Sequence, residues 1–242
     1  MKVKILGYGE IGKSLAEVYR KKFYEPAWQD MNESSGDIEC ELLHVCIPYN
    51  EYFVDIVLKE IRKSIPKYVV IHSTVKVGTT RIISNLINKE TNVIVCHSPV
   101  IGVHPNLTES LLTFTKWMGI DEVNDSLFMH FWLFDIDVSY LGKPEATEIM
   151  KLWDTTYYGM CLAINAEVKN MLNENDINYS NWIAYLKAYN DGYKKMNMPN
   201  VSRPYFPILN MPIKGHCIIP NYNILKEMTD MNGFNLLDTY SK

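Results

Sequence analysis

The sequence predicts an α/β chain: a doubly wound, mostly parallel sheet over residues 1–142, then a smaller all-helical domain over residues 143–242. Three observations predict it. Short aliphatic runs alternate with amphipathic stretches of helical spacing through the first 142 residues. The connections between them are short, which makes neighbouring strands parallel, covered on both faces and joined by right-handed crossovers. After Gly142-Lys143-Pro144 the strand-like runs stop, and apolar residues recur only at helical spacing.

In chain order, Val3-Lys4-Ile5-Leu6 is a short strand running into Gly7-Tyr8-Gly9-Glu10-Ile11-Gly12, then a helix with Ile11, Leu15, Val18 and Tyr19 on one face. A second strand, residues 25–29, is weakly marked and contains Pro26. Residues 41–47 form a strand stopped by Pro48, and residues 52–65 have helical spacing at Phe53, Ile56, Val57, Leu58 and Ile61. Residues 68–71 are a strand meeting a turn at Ser73-Thr74; 80–88 are helical and 92–96 a strand. Shorter strands at 117–120 and 138–141 flank a helix over 122–134. Residues 145–173 then form one helix, with Ile149, Trp153, Tyr157, Met160, Ile164, Val168 and Met171 as its apolar face. At about 1.5 Å per residue it reaches ~40 Å, more than a small domain needs, so a homodimer through it is expected. Residues 179–195 are a further aromatic-rich helix or pair of helices, and a proline-punctuated loop over 198–212 leads to Lys214-Gly215-His216-Cys217-Ile218-Ile219-Pro220-Asn221.

The first turn has the chemistry of a dinucleotide site. Gly-x-Gly-x-x-Gly is weak alone, but here a strand precedes it and a helix follows, inside a βαβ unit. Gly7 permits the tight turn, Gly9 lets a pyrophosphate approach the backbone, and Gly12 lets the helix lie close on the strand. Free N–H groups and the helix dipole then favour phosphate. This is the Rossmann pattern. An acidic residue about 20 positions on should accept hydrogen bonds from the adenosine ribose. Asp30 stands there, with Glu33 as the fallback, and with no neighbouring arginine it favours NAD over NADP. The candidate cofactor set is Gly7, Tyr8, Gly9, Glu10, Ile11, Gly12 and Asp30, with Pro48, Ser73 and Thr74 at later strand ends.

Composition narrows the remaining classes. Hydrophobic residues are 47% and charged residues 21%, an ordinary globular balance. Net charge is −4 and no basic block exceeds Arg20-Lys21-Lys22, against a nucleic-acid partner. No apolar run reaches the ~20 residues that span a bilayer, and residues 1–7 do not form a secretory signal, so the expected location is cytoplasmic, without a membrane partner. The five cysteines are never spaced Cys-x-x-Cys, which argues against a disulfide framework or thiolate zinc site; no metal is expected.

Four segments, in order, resemble the UDP-glucose/GDP-mannose/UDP-ManNAc dehydrogenase family. They are the glycine turn, His72-Ser73-Thr74-Val75-Lys76-Val77-Gly78-Thr79-Thr80, Glu148-Ile149-Met150-Lys151-Leu152, and Gly215-His216-Cys217-Ile218-Ile219-Pro220. The resemblance implies an NAD-dependent enzyme that oxidises an alcohol of a sugar-type small-molecule substrate. It implies Cys217 as the nucleophile that traps an aldehyde-level intermediate, Lys151 as the lysine that steadies an oxyanion or water, and Thr74 as a contact to catalytic water or cofactor. Three positions depart from the family's pattern. Thr155 stands where the family has asparagine one turn after Lys151, Asn221 where it often has aspartate, and Pro99-Val100 where it usually has Pro-Glu. Thr155 and Asn221 stay among the candidate catalytic residues. Family enzymes continue into a second Rossmann-like domain that holds most of the UDP, so the chain is expected to be a truncated form without it.

His72 and His97 end predicted strands, at the edge where doubly wound sheets bind ligands, and His104 follows soon after. Structural histidines and acid–base histidines both fit. Three functions therefore stay open: the sugar-type dehydrogenase, a non-catalytic or regulatory NAD-binding protein derived from such enzymes, and a prephenate or 3-hydroxyacid type of dehydrogenase using His97 or Lys151 as base. Whether the chain is an enzyme at all is open with them.

Overall fold

Short runs rich in aliphatic side chains, buried on both faces, are what a parallel sheet between two helical layers requires. The computed structural model, which describes residues 1–36, 39–103, 105–213 and 217–241, has such strands at β1 (Val3–Leu6), β3 (Leu42–Val45) and β4 (Tyr68–Ile71), every residue of each buried. With β2 (Ala27–Gln29), β5 (Ile94–His97), β6 (Lys116–Gly119) and β7 (Val138–Gly142) they form one sheet in the order β2-β1-β3-β4-β5-β6-β7. All neighbours are parallel except β5 and β6, which run antiparallel with His97 opposite Gly119. The strand order reverses between β1 and β3, which makes their carboxyl ends the switch point of a doubly wound sheet.

Alternation along the strands separates two cores. Val3, Ile5, Leu42 and Val70 face α1 (Glu10–Lys21), through Leu15 and Tyr19, and α5 (Asp125–Leu133), through Phe131. Leu43, Val45, Val69 and Ile71 face α2 (Phe53–Ser64), through Phe53 and Ile61, and α3 (Thr79–Ile87), through Ile83. Lys4 points into the second layer, where its Nζ lies 2.7 Å from Glu60 Oε1. Ser64 Oγ donates to the same carboxylate oxygen at 2.7 Å. A buried charge is tolerable only when paired and hydrogen-bonded in this way.

The predicted strand–helix alternation matches these elements, with bounds shifted by a few residues. Sequence periodicity missed α4 (Leu107–Thr113), whose seven residues make about two turns, too few for a repeat to show. The chain divides into two compact units, Met1–Lys151 and Leu152–Lys242. α6 (Pro144–Glu174) begins in the first and continues into the second; the second also holds α7 (Tyr179–Lys195), a short 3₁₀ turn at Pro199–Val201, α8 (Ile218–Lys226) and α9 (Phe234–Tyr240).

Two expectations in the second unit need correction. The apolar stripe read along α6 is largely the exposed one: Tyr157, Ile164 and Met171 are 62%, 52% and 69% exposed. The buried side carries small residues, among them Gly159, Ala163 and Ala166. A Cβ at Gly159 would come 2.7 Å from Ile218 Cγ2, so close packing rather than bulk defines that side. The cysteine-bearing segment 215–220, a loop by the family resemblance, enters a helix instead: Cys217 caps α8, which begins at Ile218. Pro220 is accommodated in its first turn, where a missing N–H costs no helical bond.

Gly12 is where the first helix depends most on a missing side chain. A Cβ there would sit 2.0 Å from the Gly7 carbonyl oxygen. Gly12→Ala is expected to lower stability by about 2 kcal/mol or more, visible as a drop of several degrees in Tm. A Tm unchanged from wild type would show that α1 does not rest on this approach.

Candidate functional site

The glycine turn has the shape a phosphate group would need. Gly7 has φ +93°, and a Cβ on it would strike the backbone of Cys46 at 2.7 Å, so the turn runs hard against the end of β3. Gly9 caps α1 without any side-chain cap bond, and a Cβ built on it meets nothing within 4 Å. The amides opening α1 thus border open space. Gly9, Glu10 and Asp30 are exposed, and Tyr8 and Ile11 half-buried. Asp30 directly follows β2; its Oδ2 accepts from the Tyr8 N–H at 3.3 Å and its Oδ1 from the Met31 N–H at 2.9 Å. The carboxylate is therefore held beside the glycine turn, where a ribose would meet it. Glu33 contributes its carbonyl to the Asp30 amide at 2.8 Å, so it braces the acidic residue rather than replacing it. Tyr8 stacks on Trp28 with ring centroids 4.3 Å apart, and Arg20 donates to the Tyr8 hydroxyl at 3.0 Å. These residues fit a dinucleotide: a cradle that any side chain would fill, a helix N-terminus, and a ribose-type acceptor.

The carboxyl edge of the sheet carries a second set of groups in the same unit. Pro48 lies exposed beyond β3, and Ser73 Oγ donates to the Ile47 carbonyl at 2.6 Å, tying the ends of β3 and β4 together. Thr74 is half-buried in the turn beyond. His97 is fully buried between the Thr147 hydroxyl at 2.8 Å and the Ser73 carbonyl at 3.1 Å. Antiparallel β6 starts at this edge, and its Lys116 Nζ donates to the Ser98 carbonyl at 2.8 Å. Lys151 Nζ donates to the Val100 carbonyl at 2.9 Å, so two lysines grip one short loop. Burial brings the Lys116 ammonium down to about 7, helped by the charge of Lys151. Burial likewise drives His97 down to about 3, and His72 well below the ordinary histidine range. His72 and His97 are therefore neutral at pH 7, each fixed by a carbonyl, and neither faces solvent.

The motif pair Gly78-Thr79-Thr80 and Glu148-Ile149-Met150-Lys151 is one physical device. Glu148 is fully buried, and its carboxylate accepts from the Gly78 N–H at 2.6 Å and the Thr80 N–H at 2.9 Å. The Thr80 hydroxyl adds a third bond at 2.6 Å. It occupies the positive end of α3 and anchors the first turns of α6, three residues before Lys151.

In the second unit the candidates Cys217, Asn221 and Thr155 form a local group. Cys217 is exposed at the start of α8; its carbonyl accepts from the Asn221 N–H at 3.3 Å. Asn221 Nδ2 donates to Thr155 Oγ1 at 3.1 Å. Two positions that depart from the family's pattern thus bond to each other. Lys214, Gly215, His216 and His104 lie outside the described residues. Among the described residues no cluster of three or more histidine, cysteine or acidic side chains could hold a metal ion, and no helix is long and apolar enough to cross a membrane.

Sequence reasoning missed Lys116 and His44, and read Tyr19 only as part of the apolar face of α1, not for the hydroxyl that meets His44 and His130. The signal was present: Lys116 shares the inward side of β6 with Met118, and His44 shares that of β3 with Leu42, positions where period-two alternation demands apolar residues.

No protein-family model matches the chain, and no curated protein matches its sequence. Solved structures do match it in fold. UDP-D-ManNAc dehydrogenase from Pyrococcus horikoshii is 15% identical with a TM-score of 0.78, covering 100% of this chain and 67% of its own. The NDP-N-acetyl-D-galactosaminuronic acid dehydrogenase from Methanosarcina mazei is 12% identical, with a TM-score of 0.71, covering 99% and 65%. The 3-hydroxyisobutyrate dehydrogenase from Mycobacterium tuberculosis is 10% identical, with a TM-score of 0.67, covering 99% and 92%. The class this defines is the Rossmann α/β fold followed by helices, as in dehydrogenases. At such identities the likeness speaks for the fold alone, and the chain spans about two thirds of the two sugar dehydrogenases.

The buried bases set a pH dependence. Below 6.5 the unfolded chain protonates His97 while the folded chain, with its value near 3, does not. That stability is complete above pH 6.5 and is lost as pH falls toward 3. Lys116 has the same sign one window higher, with stability complete above 10.5 and falling until about 7. The urea midpoint is expected to rise from about pH 5 to about pH 7, and again toward about pH 9. A midpoint flat across the lower interval would mean that the histidines are not held neutral.

Proposed function

We propose that the protein is an NAD-dependent oxidoreductase that oxidises an alcohol of a sugar-type small molecule, in the manner of the nucleotide-sugar dehydrogenases whose fold it shares. The observation that carries this reading is the open cradle at Gly9 on the α1 N-terminus, with the Asp30 carboxylate bonded to the same turn. Gly7, Gly9, Gly12 and the α1 amides would hold the pyrophosphate, and Asp30 the adenosine ribose. When bound, the nicotinamide supplies the hydride acceptor. The remaining work falls to the chain. Alcohol oxidation leaves a proton and develops negative charge on oxygen, so it needs a cation and a base near the carboxyl edge. Lys151, held by the Val100 carbonyl, is assigned the cation, and Thr74 the hydrogen bond to substrate or water. Cys217 is assigned the nucleophile for a second oxidation, with Thr155 and Asn221 ordering the start of its helix.

Calorimetry with NAD and with NADP tests the first part. NAD is expected to bind, NADP to bind more weakly, and Gly9→Val to weaken NAD roughly 100-fold, about 2.7 kcal/mol, by filling the cradle. Failure of NAD to bind would end the proposal. NADH formation over a panel of nucleotide sugars, sugar phosphates and hydroxy acids, beside Cys217→Ala, tests the second. Turnover lost in the variant supports the assigned nucleophile, and binding without turnover moves the reading to a regulatory NAD-binding protein. The exposed stripe of Tyr157, Ile164 and Met171 on α6 also supports a homodimer. Sedimentation is expected to give a dimer that Ile164→Glu dissociates, and a wild-type monomer would remove that part.

A further inference from the structure

Two lysines from different elements hold one buried strip of chain. Lys116 Nζ on β6 donates to the Ser98 carbonyl at 2.8 Å, and Lys151 Nζ on α6 to the Val100 carbonyl at 2.9 Å. The Ser98 N–H on the Ile71 carbonyl and the Ser98 hydroxyl on the Trp117 carbonyl, both at 2.8 Å, fix the strip further. Ser98 and Val100 are buried, and Ile101, Gly102 and Val103 directly after them are exposed. The proposed oxidation calls on Lys151 alone.

Lys116 is 4% exposed, and among the described residues no carboxylate bonds to its amine. Its one acceptor is shared. The Ser98 carbonyl also takes the His72 Nδ1–H at 2.9 Å, where a line of hydrogen bonds from His130 through Tyr19 and His44 ends. The groups facing the amine are His44 on β3, Cys46 beyond it, His72 beyond β4, Cys96 and His97 on β5, and Lys151 on α6. Beside β7, the Asp137 carbonyl accepts the Lys116 backbone N–H at 2.7 Å, and the Asp137 carboxylate takes the Thr115 hydroxyl at 2.5 Å. Toward α4 the lysine borders a narrow cleft lined by Pro99, Val100, Ile101, Leu111 and Phe114. No group facing the amine offers it a negative charge: burial keeps the histidines neutral and pushes both thiols up to about 12, and Lys151 repels it. A neutral amine fits there as a donor; an ammonium would want more acceptors and a counter-charge.

We propose that Lys116 is a positioning residue for Lys151 and makes that position depend on pH. As a neutral amine it pins the Ser98 carbonyl, and so holds the Val100 carbonyl, two residues on, where it receives the Lys151 ammonium. As an ammonium it brings a second like charge to the same strip and lacks acceptors for its other N–H groups. Water then enters by the cleft, the strip loosens and Lys151 shifts. The proton comes from solvent through the cleft and returns the same way. Burial sets the amine at about 7, against 10.5 for a lysine in water. Opening the strip to water restores the higher value, so closing it releases a proton. Closure is therefore favoured increasingly as pH rises from about 7 to 10.5; below about 7 both forms hold the proton and the bias toward opening is constant. The role of Lys151 as the cation rests on the dehydrogenase reading; the coupling of the two lysines does not.

The test uses the full chain, uniformly labelled with ¹³C and ¹⁵N, without cofactor, so its outcome is independent of NAD binding. In lysine Cε–Nζ spectra Lys116 is expected to be a neutral amine at about pH 9 and to titrate near pH 7. The Lys151 Nζ signal and the Val100 carbonyl carbon are expected to shift with that same midpoint, and neither inflection to remain in Lys116→Met. A Lys116 signal still that of an ammonium at about pH 9 would overturn the proposal. So would a Val100 carbonyl that stays still while Lys116 titrates, because the strip would then carry nothing between the lysines. If Lys116→Met does not fold, Lys151→Gln decides: with the neighbouring charge gone the Lys116 midpoint is expected to rise, and an unchanged midpoint would end the coupling. Where NADH formation is found, kcat is expected to fall below about pH 7 with KM for NAD unchanged, and Lys116→Met to remove that fall. A fall that persists in the variant counts against Lys116, whereas absence of any turnover counts against the dehydrogenase reading and leaves the spectra to decide the coupling.

Discussion

A single carboxylate, Glu148, sets where the machinery of this chain stands. It is buried, and among the described residues two backbone N–H groups and one hydroxyl of the Gly78–Thr80 turn satisfy it. The turn opens α3, so the carboxylate neutralises the exposed amides that a helix start would otherwise leave to solvent or to a ligand. Burial pushes the carboxyl group up and the three hydrogen bonds hold it down, leaving a net rise. Through this bond α6 starts at the carboxyl edge, with Thr147 on His97 and Lys151 on the Val100 carbonyl. An anion-binding helix end has been spent on architecture, and the other well-placed one, at α1, stays open.

The contrast explains what could be read from the sequence. The glycine turn was legible because each glycine answers a different steric demand: Gly7 against the Cys46 backbone, Gly12 against the Gly7 carbonyl, Gly9 against nothing. The strands and the first helices were legible because period two and period 3.6 differ plainly in runs such as Leu42–Val45 and Phe53–Ser64. Asp30 was found by its distance from the turn, although β2 itself is only three residues long. The α6 face was misread because apolar spacing marks a stripe without saying whether the chain covers it, and small residues held the buried side instead. The polar groups of the sheet layer were hidden for a different reason. His44 and Lys116 interrupt apolar alternation singly, and a lone interruption has no visible partner until Tyr19, His72 and Ser98 are brought from elsewhere in the chain.

The interior of the first unit is accordingly less oil-like than its composition suggests. Lys4 with Glu60, His97 with Thr147, and Lys116 with the Ser98 carbonyl are all buried and all bonded. Each such group costs desolvation that only good geometry offsets, so the sheet tolerates little slippage: moving β3 by one residue would turn His44 into the other core and Leu43 into the polar line. Polar matching thereby supplies register specificity that aliphatic packing alone leaves loose.

The reversal of β6 has a further consequence. Because β6 runs against β5, the stretch between them leaves the sheet and re-enters it at the same edge, carrying α4 on the way. Such an excursion is a cassette clamped at both feet, with Lys116 and Lys151 gripping its first carbonyls. Its middle can lengthen at a chain-closure penalty that grows only with the logarithm of its length, while no strand changes neighbours. Descendants of this chain could therefore acquire new ligand preferences by rewriting one stretch, with the glycine turn on the other side of the switch point left untouched.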